Sequence, residues 1–150
     1  MLSNFKIHFV KRDNGSFFIG GLRSSLPHKF GIMRDQKGKE YRCEWKNGEI
    51  DGIAKIIYQD GKEFLGHYIA GSKNGIGKVC YGNKVYLGDF KENLRTGIGQ
   101  LAEMDESELL SSERFQLIKN FDSDNRKYLS IKKGYFLKSR LHGFAIVEVP

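Results

Sequence analysis

The chain has 150 residues, 39% hydrophobic and 13% aromatic, which suffices for one folded domain and excludes a wholly disordered segment. No apolar run reaches the ~18 residues of a membrane span, and the first residues lack the apolar core of a signal peptide. Eighteen glycines beside two prolines predict many tight turns and close backbone approaches. We therefore expect a cytoplasmic protein without a transmembrane segment.

The formal net charge of +7 is spread unevenly along the chain. Residues 1–40 carry eight basic and three acidic groups, 41–104 nine and eight, 105–127 four and six, and 128–150 four and one. Basic ends suit an acidic protein, an anionic membrane or a nucleic acid, and no nucleic-acid-binding motif accompanies the charge, so nucleic acid is the weakest of the three. The candidate anion patch comprises Arg23, Lys29, Arg34, Lys132 and Lys133.

The chain opens with half a repeat, residues 5–17, and continues with a degenerate full repeat, residues 18–40. Residues 5–9 alternate apolar and polar side chains, which is typical of a half-buried strand, and a tight-turn signal follows at Asn14-Gly15. Lys29 occupies a position at which the later repeats have glycine.

Residues 41–63, 64–85 and 86–104 repeat one pattern, which starts at Tyr41, Phe64 and Tyr86. A second aromatic ring follows at offset four, and small residues recur at offsets two, seven, eleven and thirteen. A fixed period of this length indicates a repeat architecture. The repeat glycines, including those of the last unit, are Gly48, Gly52, Gly66, Gly71, Gly75, Gly77, Gly88, Gly97, Gly99, Gly134 and Gly143.

Each repeat is predicted to form a β-hairpin. Alternation places Tyr41 and Trp45 on one face of a strand, and a turn near Gly48 reverses the chain. If the returning strand pairs Trp45 near Gly52, Tyr58 also lies on that face. The predicted fold is all-β: a single-layer, elongated antiparallel sheet of tandem hairpins. Its opposite face carries a row formed by Phe30, Ile53, Ile76 and Ile98.

An insertion, residues 105–131, interrupts the pattern before a final repeat at 132–150. Residues 105–108 resemble a helix start, with a carboxylate followed by glutamate three positions later. Residues 115–131 also fit a hairpin, so we expect a short helical or irregular insertion near 105–127. It takes the place of about one repeat within what is otherwise a single domain.

The phrase Tyr-x-x-x-Trp-x-x-Gly-x-x-x-Gly and its copies from Phe64 and Tyr86 resemble the MORN (membrane occupation and recognition nexus) repeat. The resemblance covers residues 18–104 and 132–146, and the copy at Phe64 carries the fullest motif. It implies a curved sheet of hairpins that acts as a non-catalytic adaptor. Family members occur in ciliary axonemes, at cytoskeletal junctions and at membrane contacts. The insertion departs from the family pattern, so the resemblance does not imply a continuous groove across it.

One face of such a sheet needs a cover, because domains are normally built of two packed layers. A strip of small residues between rows of rings would leave a trough for a helix or an extended peptide. The alternative is a sheet closed by the chain's own insertion and C-terminus. The candidate partner groove comprises Tyr41, Trp45, Tyr58, Phe64, Tyr68, Tyr81, Tyr86, Phe90 and Phe136.

Catalysis, metal binding and cofactor binding have no support in the residue pattern. The chain has no Cys-x-x-Cys, no phosphate loop and no nucleophile elbow. His28 and His142 fall at a turn position, offset ten, so turn polarity explains them. Cys43 and Cys80 fall on opposite faces and are interpreted as reduced packing residues. We predict no enzyme activity, no catalytic or metal-binding residue and no cofactor.

The expected function is a scaffold that docks a helix or peptide of a larger cytoskeletal assembly. A ciliary axonemal, radial-spoke-like assembly and a location at the cytoskeleton or cilium are expectations from the resemblance alone. Two alternatives stay open: recruitment to anionic, phosphoinositide-type membranes through the basic ends, and a purely architectural subunit.

Overall fold

The computed structural model describes residues 6–104 and 128–149, which contain eleven β-strands and no helix. All eleven pair antiparallel in chain order in one open sheet, as predicted. The helical prediction within the insertion lies outside the described residues. The strands are β1 His8–Lys11, β2 Phe17–Arg23, β3 Leu26–Arg34, β4 Glu40–Lys46, β5 Glu49–Ile57, β6 Glu63–Ile69, β7 Ser72–Tyr81, β8 Lys84–Lys91, β9 Leu94–Met104, β10 Tyr128–Leu137 and β11 Arg140–Glu148.

Each hairpin turns through two residues that both have positive φ. In the second repeat these are Asn47 (φ 49°) and Gly48 (φ 89°), a backbone that matches the right-handed twist of the flanking strands. The Gly48 amide donates to the Pro27 carbonyl of the preceding hairpin at 2.8 Å. This bond recurs along the sheet and links each hairpin to the one before it: Gly71 to Ile50, Asn93 to Lys73 and Ser139 to Arg95.

The polar residues at offset ten bind the same turns. His28 Nδ1 accepts the Asn47 amide at 3.4 Å, and Asp51 Oδ2 accepts the Ala70 amide at 3.5 Å. The contact of His28 with the Asn47 amide agrees with the sequence-based interpretation of His28 as a turn residue. The third such pair is Asn74 Oδ1 with the Glu92 amide.

A β-bulge in every hairpin corrects the predicted register. Trp45 pairs with Ile50 and not with Gly52, because Cys43 pairs with Ala54 and the returning strand has extra residues between these pairs. Gly52 lies in the bulge with φ 116°, a conformation that L side chains rarely adopt. Lys29, at the equivalent position of the degenerate repeat, also has positive φ.

The insertion does not interrupt the sheet. Met104 at the end of β9 pairs with Tyr128 at the start of β10, and Gly134 pairs with Gly99. Residues 105–127 therefore connect two neighbouring strands, as the two-residue Gly82-Asn83 segment connects β7 and β8. In space the last hairpin pairs directly with the fourth repeat. The predicted division of the chain into repeats and insertion stays a prediction.

The ring face, defined as the face that carries Phe64 and its equivalents, holds the main hydrophobic cluster. Phe64 lies on the cross-strand pair Gly66 and Gly77: a Cβ at either glycine would come within 2.7 Å of the ring. Phe18 lies in the same way on one glycine pair and Tyr86 on another. These pairs are Gly20 with Gly31 and Gly88 with Gly99.

The rings contact one another along the sheet. Phe64 meets Tyr68 of its own repeat and Phe90 of the next, each at 5.5 Å between centroids and nearly perpendicular. Tyr86 continues the series with Phe90 and Phe136 at 5.4 and 5.1 Å. Edge-to-face packing is the favoured geometry for aromatic pairs. We call this series the ring ladder.

The second face carries the predicted apolar row in the open. Phe30, Ile53, Ile76 and Ile98 are 54%, 53%, 64% and 76% exposed. Most acidic side chains of the central strands lie on this face too, among them Glu40 and Glu63, paired with Arg42 and Lys55. The second face is therefore where the carboxylates of the central repeats collect.

Adding a methyl group under the ladder tests the role of the glycine pairs. We expect Gly66→Ala to lower the free energy of unfolding by about 1 to 3 kcal/mol, because the new Cβ overpacks Phe64 and the Gly77 backbone. Combined with Phe64→Leu, part of that loss should disappear, which a double-mutant cycle by urea denaturation measures.

Cys43→Ala is the matched control, since Cys43 has the equivalent position in its repeat and already carries a Cβ. A Gly66→Ala variant within ~0.5 kcal/mol of the parent would contradict ring-on-glycine packing.

Candidate partner-binding site

All nine aromatic residues predicted for the partner groove belong to the ring-face cluster or pack against it, but they differ in accessibility. Six are buried, so their rings are already occupied by the fold, and only the remaining three are half-buried and offer surface to a ligand. Their assignment as partner contacts stays a prediction. The buried six are Trp45, Phe64, Tyr68, Tyr86, Phe90 and Phe136, and the half-buried three are Tyr41, Tyr58 and Tyr81.

The ring ladder is broken at Tyr41. Among the described residues no ring contact joins Tyr41 to Tyr68, although Phe18, Phe64 and Tyr86 each reach the equivalent ring of the next repeat. Cys43 and Ala54 stand where these three repeats have glycine pairs, and both are fully buried. Their Cβ atoms fill the space in which a ring lies elsewhere. Tyr41 is left half-buried.

Three lysines surround Tyr58 next to this break. The Nζ atoms of Lys39, Lys62 and Lys73 lie 4.5, 5.1 and 5.9 Å from the centroid of the Tyr58 ring. Lys39 also lies 4.6 Å from the Tyr41 ring. Cation-π attraction to the rings offsets part of the repulsion among the three ammonium groups. We call this group the lysine cluster.

Lys73 occupies a position at which other repeats bury an apolar side chain. Offset nine is Ile50 in the second repeat and Leu141 in the last, and both pack against the ring-face cluster. In the two repeats between them it is Lys73, 4.8 Å from the Phe64 centroid, and Arg95, 5.1 Å from the Tyr86 centroid. The two cations thus lie directly over the ring ladder.

The setting of Lys73 disfavours its charge. Burial, followed by the charges of Lys62 and Lys39, lowers the pKa of Lys73 from 10.5 to about 8. No carboxylate counters this shift. Burial likewise raises the pKa of the Tyr58 phenol, against a smaller opposing effect of Lys39. The cluster therefore has an excess of positive charge close to a neutral, half-buried ring.

Three neighbouring recesses lie along the ring face past the lysine cluster. Their volumes are about 330, 520 and 420 Å³; Asp35 lines the first and second, and Asp60 the second and third. We call this surface the trough. It is lined by six basic and two acidic side chains, together with apolar groups. The basic ones are Arg12, Lys37, Lys39, Lys62, Lys73 and Arg95.

The basic residues predicted as an anion patch do not form one patch. Arg23, Lys29 and Arg34 lie on β2 and β3, whereas Lys132 and Lys133 lie on β10. Six strands separate the two groups, roughly 30 Å at the usual strand spacing. Arg34 and Lys133 are also paired with carboxylates of the second face, those of Glu40 and Glu148.

A count of charge by sequence segment does not reveal the trough. Residues 41–104 are nearly neutral in sum. Most of their carboxylates nevertheless lie on the second face, whereas Lys62, Lys73 and Arg95 lie on the ring face. One signal was readable in the sequence: Lys73 and Arg95 replace an apolar residue at offset nine.

The remaining chemistry-bearing side chains are dispersed. Within residues 6–104 and 128–149 no three His, Cys, Asp or Glu side chains gather as a group able to hold a metal. Cys43 lies in the ring-face cluster, and burial raises its pKa to about 12; Cys80 follows the ring-face residue Val79 and so points to the second face. Nor does the described part of the chain include a helix with the length and hydropathy for crossing a bilayer.

Comparison with protein-family models gives no match, and no curated protein matches the sequence either. The geometry of the trough therefore carries the functional argument.

Replacing Lys73 tests the electrostatics of the trough. Between pH 8 and 10.5 the unfolded chain binds more protons at this site than the folded chain, so Lys73 makes stability rise with pH across this window. We expect Lys73→Met to increase the free energy of unfolding at pH 7 and to lose this advantage as the pH approaches 10.5. Urea denaturation of both proteins across the window measures the difference, in which contributions from thiols and phenols cancel. Parallel curves would contradict a charge-disfavouring site.

Proposed function

We propose that the protein is a non-enzymatic repeat adaptor of the MORN type that docks a segment of a partner protein along the trough. The observation that carries this proposal is the series of three neighbouring recesses on the ring face. Ligand sites are typically concave and combine apolar surface with convergent polar groups. The trough is concave and combines apolar groups with six basic side chains. The resemblance of the repeat pattern to MORN units supports the adaptor role.

The half-buried tyrosines are the groups that a partner would cover. Tyr58 lines the second recess and Tyr81 the third, where the buried Phe90 also contributes. An apolar side chain laid on these rings would exclude water from them and add to the burial that the ring ladder begins.

The trough suits an extended segment that crosses the strands. Its lining residues run from Val10 on β1 to Ser139 in the turn before β11. Ten strands at the usual spacing span roughly 40 Å, about the length of twelve residues in extended conformation. We propose a cytoskeletal assembly, and within that class an axonemal one, as the setting; this part of the proposal rests on the resemblance.

Affinity capture with surface variants tests the docking proposal. Tyr58→Ala and Tyr81→Ala should each weaken capture of native partners by about tenfold, because each removes a ring from the trough. The measurement is quantitative affinity capture from cells that express the chain, with cross-linking mass spectrometry to locate the contacts.

Ile53→Ser is the control, since it removes a comparable apolar group from the second face. If both tyrosine variants stay folded by circular dichroism and retain every partner, or if cross-links fall on the second face alone, the trough is not the docking site.

A further inference from the structure

Among the described residues, no carboxylate lies within ion-pair distance of Lys39, Lys62 or Lys73. Of the two carboxylates that line the trough, Asp35 accepts the backbone amides of Lys37 and Lys39 at 2.9 and 3.0 Å. Asp60 accepts the Lys62 amide at 3.0 Å. Both carboxylates hold turns in this way, and neither forms an ion pair with Lys39, Lys62 or Lys73. The side-chain contacts of Lys73 are made with rings, those of Tyr58, Phe64 and Phe90.

An anion placed among these lysines would relieve the repulsion that Lys39 and Lys62 exert on Lys73. Charge-assisted hydrogen bonds are about twice as strong as neutral ones, and they strengthen further where water is partly excluded. The Lys73 backbone is fixed by two hydrogen bonds with Asn93, at 3.0 and 3.1 Å. These two bonds fix the backbone position from which the Lys73 side chain extends.

The shape of the surface favours a peptide over a lipid headgroup. A headgroup would occupy one recess, whereas the cationic lining continues from Arg12 in the first recess to Arg95 in the third. Apolar groups such as Val79 and Phe90 lie beside the charges along the way. A chain that carries both carboxylates and apolar side chains matches this alternation.

We propose that the partner segment is acidic, and that its carboxylates bind among Lys39, Lys62 and Lys73 while its apolar side chains cover Tyr58 and Tyr81. This inference rests on the docking function and adds the chemistry of the occupant.

The test uses the full chain and a displayed library of random dodecapeptides. Selected peptides should be rich in Asp and Glu next to apolar residues. Synthetic copies with each Asp and Glu changed to Asn and Gln should bind at least ~10-fold more weakly, and raising the salt concentration should weaken the acidic versions. The double variant Lys62→Gln/Lys73→Gln should lose affinity to a similar extent.

Lys46→Gln/Lys91→Gln is the matched control, because it removes the same charge from exposed positions that alternate away from the ring face. Lysine ε-methylene NMR signals of the unmodified protein provide a readout that needs no variant: acidic peptides should shift those of Lys39, Lys62 and Lys73.

The outcomes separate the two proposals. Peptides that compete at Tyr58 and Tyr81 but bind equally well as amide versions would overturn the acidic preference and leave docking intact. Peptides whose binding is unchanged by the tyrosine variants and by the lysine variants would contradict both proposals. A third outcome is that no peptide is selected, while the protein binds vesicles that contain phosphatidylserine and does not bind vesicles of pure phosphatidylcholine. That outcome would contradict a peptide ligand and identify a membrane surface as the occupant of the trough.

Discussion

The packing of an aromatic ring on a cross-strand pair of glycines is the contact on which the rest of the structure depends. A single sheet has no second layer to cover its rings, so each ring must be buried against the sheet and its neighbours. Gly66 and Gly77 allow Phe64 to lie on the backbone itself, and Phe90 then meets its edge. Repetition of this contact gives the described part of the chain a hydrophobic core on one face of a single sheet.

The proposed docking surface lies beside the second repeat, in which this contact is absent. Cys43 and Ala54 occupy the positions that are glycine in the repeats with a ring on the sheet, and the ring ladder is interrupted between Tyr41 and Tyr68. Lysines with rings beneath them occupy the area around this break, as Lys73 does over Phe64. The proposed site thus lies next to the position at which the ring ladder is interrupted.

The repeat offsets predicted much of this fold from sequence, including the hairpins, the two faces and the exposed row from Phe30 to Ile98. They did not predict the bulge at Gly52, because a residue left out of the strand pairing has no signature in period-two alternation. Nor did they show that Phe64 is buried and Tyr58 half-exposed, since both are ring-face aromatics. That difference depends on which neighbours are glycine, a matter of contact across strands.

The measurement that tests the account most directly is the position of Tyr41 after Cys43→Gly and Ala54→Gly are introduced together. The account predicts that the ring settles on the new glycine pair and meets Tyr68 edge to face, which aromatic nuclear Overhauser effects or a crystal structure would show. It also predicts that affinity for trough ligands changes with that movement. A Tyr41 ring that stays half-exposed and out of contact with Tyr68 would contradict the claim that small residue pairs decide where the ladder is closed.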